Sequence, residues 1–318
     1  MPNAGQAPPI LDFSKFYQND PASKKQLVDE VRNCCLHNGF FQITGHNVPI
    51  ELQNRMMDWN KRFFDLPLEE KNKVNKDTTN TWNRGYELLK SQILEAGTTP
   101  ELKEGFYIGD EIPKTHPYFL NKALNSGPNT WPSAASLPNV QDFKETSLEY
   151  YARVVSLAKD ILKVLALTLD LEETYFDAFA TGAVATMRLL HYPPQPRSSP
   201  THLTRGIGAH TDFGCITILL QDTVSGLQVY DHATKEWLDV TPTPGAFVIN
   251  LGNLMMRWSN DRGEGEGVRW GEITVEEAIL GGYRESYGRA DEWKRGQEET
   301  RKGEGAKMDV GAQEVVVA

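Results

Sequence analysis

Between residues 185 and 252 the chain is written in a period of two. The runs ATMRLLHYP, GCITILLQD, GLQVYD, EWLDVTP and GAFVINLG are short, rich in β-branched and aromatic residues, and separated by Gly, Pro and Asp turns. Alternation of this kind turns one face of each strand toward a core, and turn signals at roughly eight- to twelve-residue spacing predict an antiparallel sandwich or barrel.

Helical periodicity governs the segments before it. ILDF (10–13) reads as a short strand, and PASKKQLVDEVRNCCLHNG follows as a helix opened by Pro21 and closed near Gly39. GFFQITGHNVP (39–49) predicts a strand and a turn, and IELQNRMMDWNKRFFDLP a second amphipathic helix carrying Leu52, Met56, Trp59 and Phe63. Residues 72–139 are polar and irregular, with TWNRGYELL, PELKEGFYIG and GPNTWP as structured islands; loops this long usually serve as lids or binding loops. From Val140 to Leu171 the longest helix is predicted, with Phe143, Leu148, Tyr151, Val155, Ala158, Leu162, Leu165 and Leu169 on its packing face. The expected organisation is an N-terminal α/β region (1–139), a long helix plus β core (140–262), and a Gly/Glu-rich tail (263–318) that is disordered or loosely packed.

Charge narrows the partners. A formal net charge of -10 disfavours nucleic acid and anionic membranes, both of which call for basic patches. The start, MPNAGQAPPILDF, has no basic region followed by an apolar stretch, and no run is long and apolar enough to span a bilayer, so a cytoplasmic monomer is expected. Cys34, Cys35 and Cys215 have no metal-ligand spacing and are expected to be reduced.

The chemistry-bearing stretch is GIGAHTDFGCITILLQDTVSGLQV (206–229). On a strand, His210 and Asp212 would point to the same face, as two ligands of a 2-His-1-carboxylate iron site do. A lone His-x-Asp is more often a surface turn, so the neighbours decide. Together with ILDF, FFDLPLEEK, RGYELL, ELKEGFYIG, GPNTWP, MRLLHYPPQP, GLQVYD and FVINLGNLMMRWSNDR, in that order, it resembles the isopenicillin N synthase-like family of Fe(II)/2-oxoglutarate-dependent oxygenases over residues 8–262.

That resemblance implies a double-stranded β-helix, or jelly roll, with flanking helices. It also implies Fe(2+) held by His210, Asp212 and a second histidine, 2-oxoglutarate as co-substrate, ascorbate as reductant, and O2-driven oxidation of a small organic molecule in secondary metabolism: hydroxylation, desaturation or cyclisation. Tyr192 matches a tyrosine that hydrogen-bonds the co-substrate; Arg84 and Tyr86 are candidate substrate contacts, with plain loop anchoring as the other reading. His191 reads as a packing or substrate-side residue, and His37, His46, His116, His202 and His232 as structural or loop residues.

The pattern breaks at RWSNDRGEGEGVRW (257–270). The family continues with a distal histidine and then an Arg-x-Ser whose guanidinium pairs with the co-substrate carboxylate. Val268 stands where the histidine is due, and no histidine follows His232. Arg284-Glu285-Ser286 comes late and is expected to be coincidental. The tail from Gly263 holds eleven of the 26 glycines; ITVEEAIL (273–280) predicts two helical turns, and the jelly roll is expected to be incomplete at its C-terminal strands. Three explanations stand open: a translated intron or shifted frame, a degenerate relative that binds without turnover, or an active enzyme with Glu264, Glu266 or water as third ligand.

Overall fold

The computed structural model describes residues 5–79, 82–123, 125–182, 185–195, 205–259 and 275–311; in the last stretch side chains are described for 275 and 277–298. Strand β1 (Ile10–Asp12), helix α1 (Ser14–Tyr17), helix α2 (Pro21–His37) and strand β2 (Phe40–Thr44) open the chain. Asp20 caps α2 by accepting from the Ala22 and Ser23 backbone N–H groups at 3.2 and 3.1 Å, and Pro21 supplies the first helical position. Helices α3 (Ile50–Phe64) and α4 (Leu68–Asn72) follow, then β3 (Gly85–Glu87), β4 (Glu104–Gly109) and α5 (Pro117–Leu120). Two of the islands read inside 72–139 thus become strands, while GPNTWP stays irregular and is tied to β4 by Asn129, whose amide bonds both backbone groups of Gly109 at 2.9 and 2.7 Å.

Helix α6 (Val140–Thr168) is the predicted long helix, with Leu169 as its C-cap. Its buried face includes Phe143, Tyr151 and Leu165 of the predicted stripe and otherwise runs one residue earlier, through Tyr150, Leu157, Ile161, Val164 and Thr168. The short α7 (Asp177–Ala180) leads into β5 (Thr186–His191), β6 (Ile216–Leu220), β7 (Gln228–Asp231), β8 (Glu236–Asp239) and β9 (Phe247–Leu251), so all five expected strands form. Helices α8 (Asn253–Trp258) and α9 (Val275–Gly311) close the described chain.

The strands pair as β1-β2-β9-β6, β3-β4-β5 and β7-β8, antiparallel throughout except for β1 beside β2. This sheet-rich body with helices on its flanks is the jelly-roll fold class. One core joins the sheets: Phe41, Ile43, Phe247 and Ile249 from the larger sheet, Phe106, Ile108 and Leu189 from the three-stranded sheet, and Phe63, Phe143 and Ile161 from the helices. The rings of Phe63 and Phe106 lie 4.4 Å apart at their centroids.

The tail differs from expectation. Residues 275–311 are one helix, in which Ser286 and Ala290 are fully buried. Glycine lowers helix propensity, so this helix depends on docking rather than on its own sequence, and a reading from composition alone could not find its partner surface.

Beneath the three-stranded sheet lies a buried ionic knot. Lys71 Nζ donates to both Glu104 oxygens at 3.0 and 2.8 Å, while Tyr86 Oη and His191 Nδ1 also reach that carboxylate. Burial opposes the Glu104 charge, but the Lys71, Tyr86 and His191 bonds outweigh it and hold its carboxyl below the ordinary range. Lys71→Met is expected to lower stability by about 3–5 kcal/mol, because the carboxylate loses its cationic partner inside the protein. Chemical denaturation at neutral pH measures it, with Lys61→Met, whose side chain is 73% exposed, as a near-neutral control.

Candidate active site

His210 and Asp212 lie in the irregular segment before β6, not on a strand as the sequence suggested. Their convergence comes from how that segment is pinned. The carbonyls of Asp212, Gly214 and Cys215 accept from the backbone N–H groups of Asn253, Leu254 and Gly252 at 2.8, 3.1 and 2.8 Å, which ties the loop to the start of α8. His210 Nδ1 sits 2.8 Å from the Gly208 carbonyl, which turns Nε2 toward Asp212 Oδ1 at 3.6 Å.

Two residues missed in the sequence hold the other carboxylate oxygen. Thr217 Oγ1 and Asn250 Nδ2 donate to Asp212 Oδ2 at 2.6 and 2.7 Å. Thr217 and Asn250 are direct cross-strand partners in the β6–β9 ladder, so their side chains emerge on one face and meet at one acceptor. Both are polar interruptions in otherwise apolar strands, ITILL and FVINL, and that is the signal that could have found them. Burial pushes the Asp212 carboxyl up, but the bonds from His210, Thr217 and Asn250 outweigh it and set it at about 2. Burial likewise works against a charged His210, yet the Asp212 carboxylate and the Gly208 carbonyl raise its imidazole above the ordinary value.

The opposite wall is the three-stranded sheet, whose two faces have different chemistry. Its register pairs Glu87 with Gly105, Tyr107 with Arg188, and Glu104 with His191. Alternation then puts Glu87, Gly105, Tyr107, Arg188 and Leu190 on one face, and Tyr86, Glu104, Phe106, Leu189 and His191 on the other. The second face is the core and the ionic knot; the first is polar. On it, Arg188 pairs with Glu87 and donates to Gln92 Oε1 at 3.1 Å, with its guanidinium 4.8 Å from the Tyr107 ring centre. Lys103 and Tyr192 are the residues next to the last pair of that ladder, and Lys103 is near enough to Arg188 and Glu87 to feel both charges. Lys103 Nζ is 2.8 Å from Glu101, both side chains 3% exposed. Burial, and after it the Arg188 guanidinium, pull the Lys103 ammonium down to about 8.

The two walls adjoin. Leu102 N–H donates to the Arg205 carbonyl at 3.0 Å, Arg205 pairs with Glu95, and a Cβ added to Gly206 would fall 2.7 Å from the Tyr192 ring. The loop that bears His210 therefore rests on Tyr192, which keeps 43% of its surface accessible.

Helix α9 covers the polar face. Tyr287 Oη lies 3.2 Å from Tyr107 Oη and donates to Glu87, Gln92 Nε2 donates to Ser286 Oγ at 3.3 Å, and Tyr283 meets Phe213 edge-on at 6.1 Å. Arg284 on this helix is exposed, away from the face that Ser286 buries, so Arg284-Glu285-Ser286 forms no paired anchor here.

Of the sequence candidates, Arg84 and Tyr86 are both 1% exposed; Arg84 donates to the Asn125 carbonyl and Tyr86 to Glu104, contacts that agree with the loop-anchoring reading. Tyr86 lies on the face of β3 opposite the polar wall, and one residue of register makes that difference. His191 packs, with its ring 5.4 Å from Phe64. His46 bonds the Gly245 carbonyl at 2.8 Å, and His116 caps α5. His202 and Val268 lie outside the described residues, as do Glu264 and Glu266. Among the described residues no group of three or more His, Cys, Asp and Glu side chains could hold a metal, and no helix is long and apolar enough to cross a membrane.

Tyr287→Phe removes the hydroxyl that joins α9 to Glu87 and Tyr107. It is expected to cost about 1 kcal/mol and to raise amide hydrogen exchange across 275–298 more than in the β core. Unchanged exchange in that segment would contradict the docking described.

Comparison with known proteins agrees with this architecture. Residues 8–134 match the family described as the non-haem dioxygenase in morphine synthesis N-terminal region, and residues 183–265 match the 2OG-Fe(II) oxygenase superfamily. The chain is 54% identical to the 2-oxoglutarate-Fe(II) type oxidoreductase hxnY of Emericella nidulans, over 92% of this chain and 94% of that protein. It is 36% identical to the clavatol oxidase claD of Penicillium crustosum, over 78% of this chain and 76% of that one. Among solved structures, a full-length Neurospora crassa protein in complex with alpha-KG and thymine aligns at a TM-score of 0.67 and 29% identity, covering 81% of this chain and 77% of that one. The alignment to hxnY runs over 330 positions, more than the 318 residues of this chain, so that relative carries residues this chain lacks. The chain belongs to the Fe(II)- and 2-oxoglutarate-dependent oxygenases.

Proposed function

We propose that this chain oxidises a small organic metabolite of secondary metabolism, by hydroxylation, desaturation or cyclisation, with His210 and Asp212 as iron ligands and Tyr192 facing 2-oxoglutarate. The observation that carries this reading is the state of the Asp212 carboxylate. Its Oδ2 is held by Thr217 and Asn250, while its Oδ1 faces His210 Nε2, the ring nitrogen left open by the Gly208 contact. Structural polar pairs are normally satisfied from within; this pair instead presents two donor atoms in a cleft, with their outer atoms oriented by neighbours.

Iron(II) fits these two residues: a neutral imidazole nitrogen and an ionised carboxylate are suitable donors, and the low Asp212 pKa keeps the oxygen deprotonated at physiological pH. When bound, iron(II) with 2-oxoglutarate supplies the means of activating O2 for oxidation of an organic molecule. Asp212 and His210 fix the position of that centre, Thr217 and Asn250 keep the carboxylate from rotating, and α9 with Tyr283 and Tyr287 shields the cleft from water.

A second reading has its own support. Among the described residues no third protein ligand joins His210 and Asp212, and hxnY carries residues that this chain lacks. A missing segment would remove the distal histidine and the arginine anchor together, leaving a jelly-roll protein that binds a small molecule or a partner without turnover.

Succinate release from 2-oxoglutarate by the purified chain with Fe(II), ascorbate and O2 separates the two. The oxygenase reading expects succinate from the wild type and none from Asp212→Ala or His210→Ala. No succinate and no iron uptake by the wild type would sink that reading and leave the binding protein. Thr217→Val is expected to weaken metal binding by about 10- to 100-fold while leaving the fold intact, because only the orientation of Asp212 is disturbed.

A further inference from the structure

The polar face of the three-stranded sheet has more hydrogen-bond donors than the protein satisfies. Arg188 Nε is buried and finds no hydrogen-bond acceptor among the described residues, and the buried Lys103 Nζ meets Glu101 Oε2 at 2.8 Å. Glu87 takes another nitrogen of the Arg188 guanidinium, which leaves Nε unused, and a single carboxylate oxygen does not exhaust the three protons of the Lys103 ammonium. Buried cationic donors without acceptors are costly, and proteins keep them where a ligand completes them.

Three observations put the two donors in one place. Lys103 and Arg188 share the face that the β4–β5 register defines, and Gly105 lies between them on that face. A Cβ added to Gly105 would come 2.9 Å from Arg188 Nε, so the missing side chain leaves this nitrogen room above the sheet. Tyr192, on the same face, lies against the loop that bears His210, so a ligand held here is next to the His210–Asp212 pair. The charges are also uneven. Lys76, 3.8 Å from Glu87, joins Lys103 and Arg188, giving three cations against the buried carboxylates Glu87 and Glu101; the other partner of Lys76, Asp77, is 71% exposed.

We infer that Lys103 Nζ and Arg188 Nε form a carboxylate-binding subsite at the Tyr192 end of the polar face. The inference rests on the reading of this cleft as the oxygenase cavity, and adds to it a specific ligand chemistry. A carboxylate there accepts from both cations and supplies the negative charge that the cluster lacks. Two sources share that chemistry: the carboxylate of 2-oxoglutarate, whose usual arginine is missing from the expected place in this sequence, or a carboxylate on the organic substrate.

The test uses the full chain, freed of metal in EDTA, so that its result does not depend on turnover. Isothermal calorimetry measures 2-oxoglutarate, and separately benzoate in the presence of saturating 2-oxoglutarate, on the wild type and on Lys103→Met, Lys103→Gln and Lys103→Arg. The neutral variant whose unfolding temperature matches the wild type is the one compared. At least one ligand is expected to bind the wild type, to lose about tenfold or more in affinity in the neutral variant, and to regain most of it in Lys103→Arg. Loss of 2-oxoglutarate binding assigns the subsite to the co-substrate, and loss of benzoate binding assigns it to the substrate. Equal affinity of wild type and neutral variant for both ligands overturns the proposal, as does a wild type that binds neither.

Discussion

The candidate site depends on the hydrogen-bond register between β4 and β5. Pairing Glu104 with His191 and Tyr107 with Arg188 sorts one short stretch of chain into two chemistries. On the inner face, Glu104 gathers Lys71, Tyr86 and His191 above a core of Phe63, Phe106 and Phe143. On the outer face, Tyr107 and Arg188 lie beneath α9, with Lys103 and Tyr192 next to the end of the ladder. A slip of one residue would exchange the two sets, placing guanidinium and ammonium groups among phenylalanines. The ionic knot on the inner face is therefore what fixes the functional face in place.

The second wall is built by a different ladder. Thr217 and Asn250 are opposite each other on β6 and β9, and Asp212 reaches back from the preceding loop to accept from both. Loops are poor at holding geometry by themselves. This one is held at both ends, by α8 through three backbone bonds and by the Glu95–Arg205 and Leu102–Arg205 contacts. Rigid strands thus position groups that sit on irregular chain.

Much of this was legible in the sequence. Each period-two run contains one of the strands β5 to β9, and the His-x-Asp pair, expected on a strand, sits in the loop before β6 with Nε2 and Oδ1 3.6 Å apart. What was not legible depends on pairing between distant segments. Arg84 and Tyr86 share the sequence RGY, but their roles follow from the partners of β3 and from Asn125, which lie far along the chain. Lys103 looked like part of a generic ELKEG string until the fold brought it to Glu101 and near Arg188. The tail was misread for the same reason: its glycines argue against a helix locally, and Ser286, Tyr287 and Ala290 find their contacts only on a surface built 200 residues earlier.

We propose that the His210–Asp212 pair and the polar sheet face enclose one cavity that holds iron(II) and 2-oxoglutarate together. Anaerobic addition of Fe(II) and 2-oxoglutarate to the 318-residue chain, followed by visible absorption, tests it directly, because chelation of iron by the 2-oxo acid gives a charge-transfer band that neither gives alone. The band is expected in the wild type and its loss in Asp212→Ala. A wild type that shows no band, while its fold is intact by circular dichroism, would contradict it.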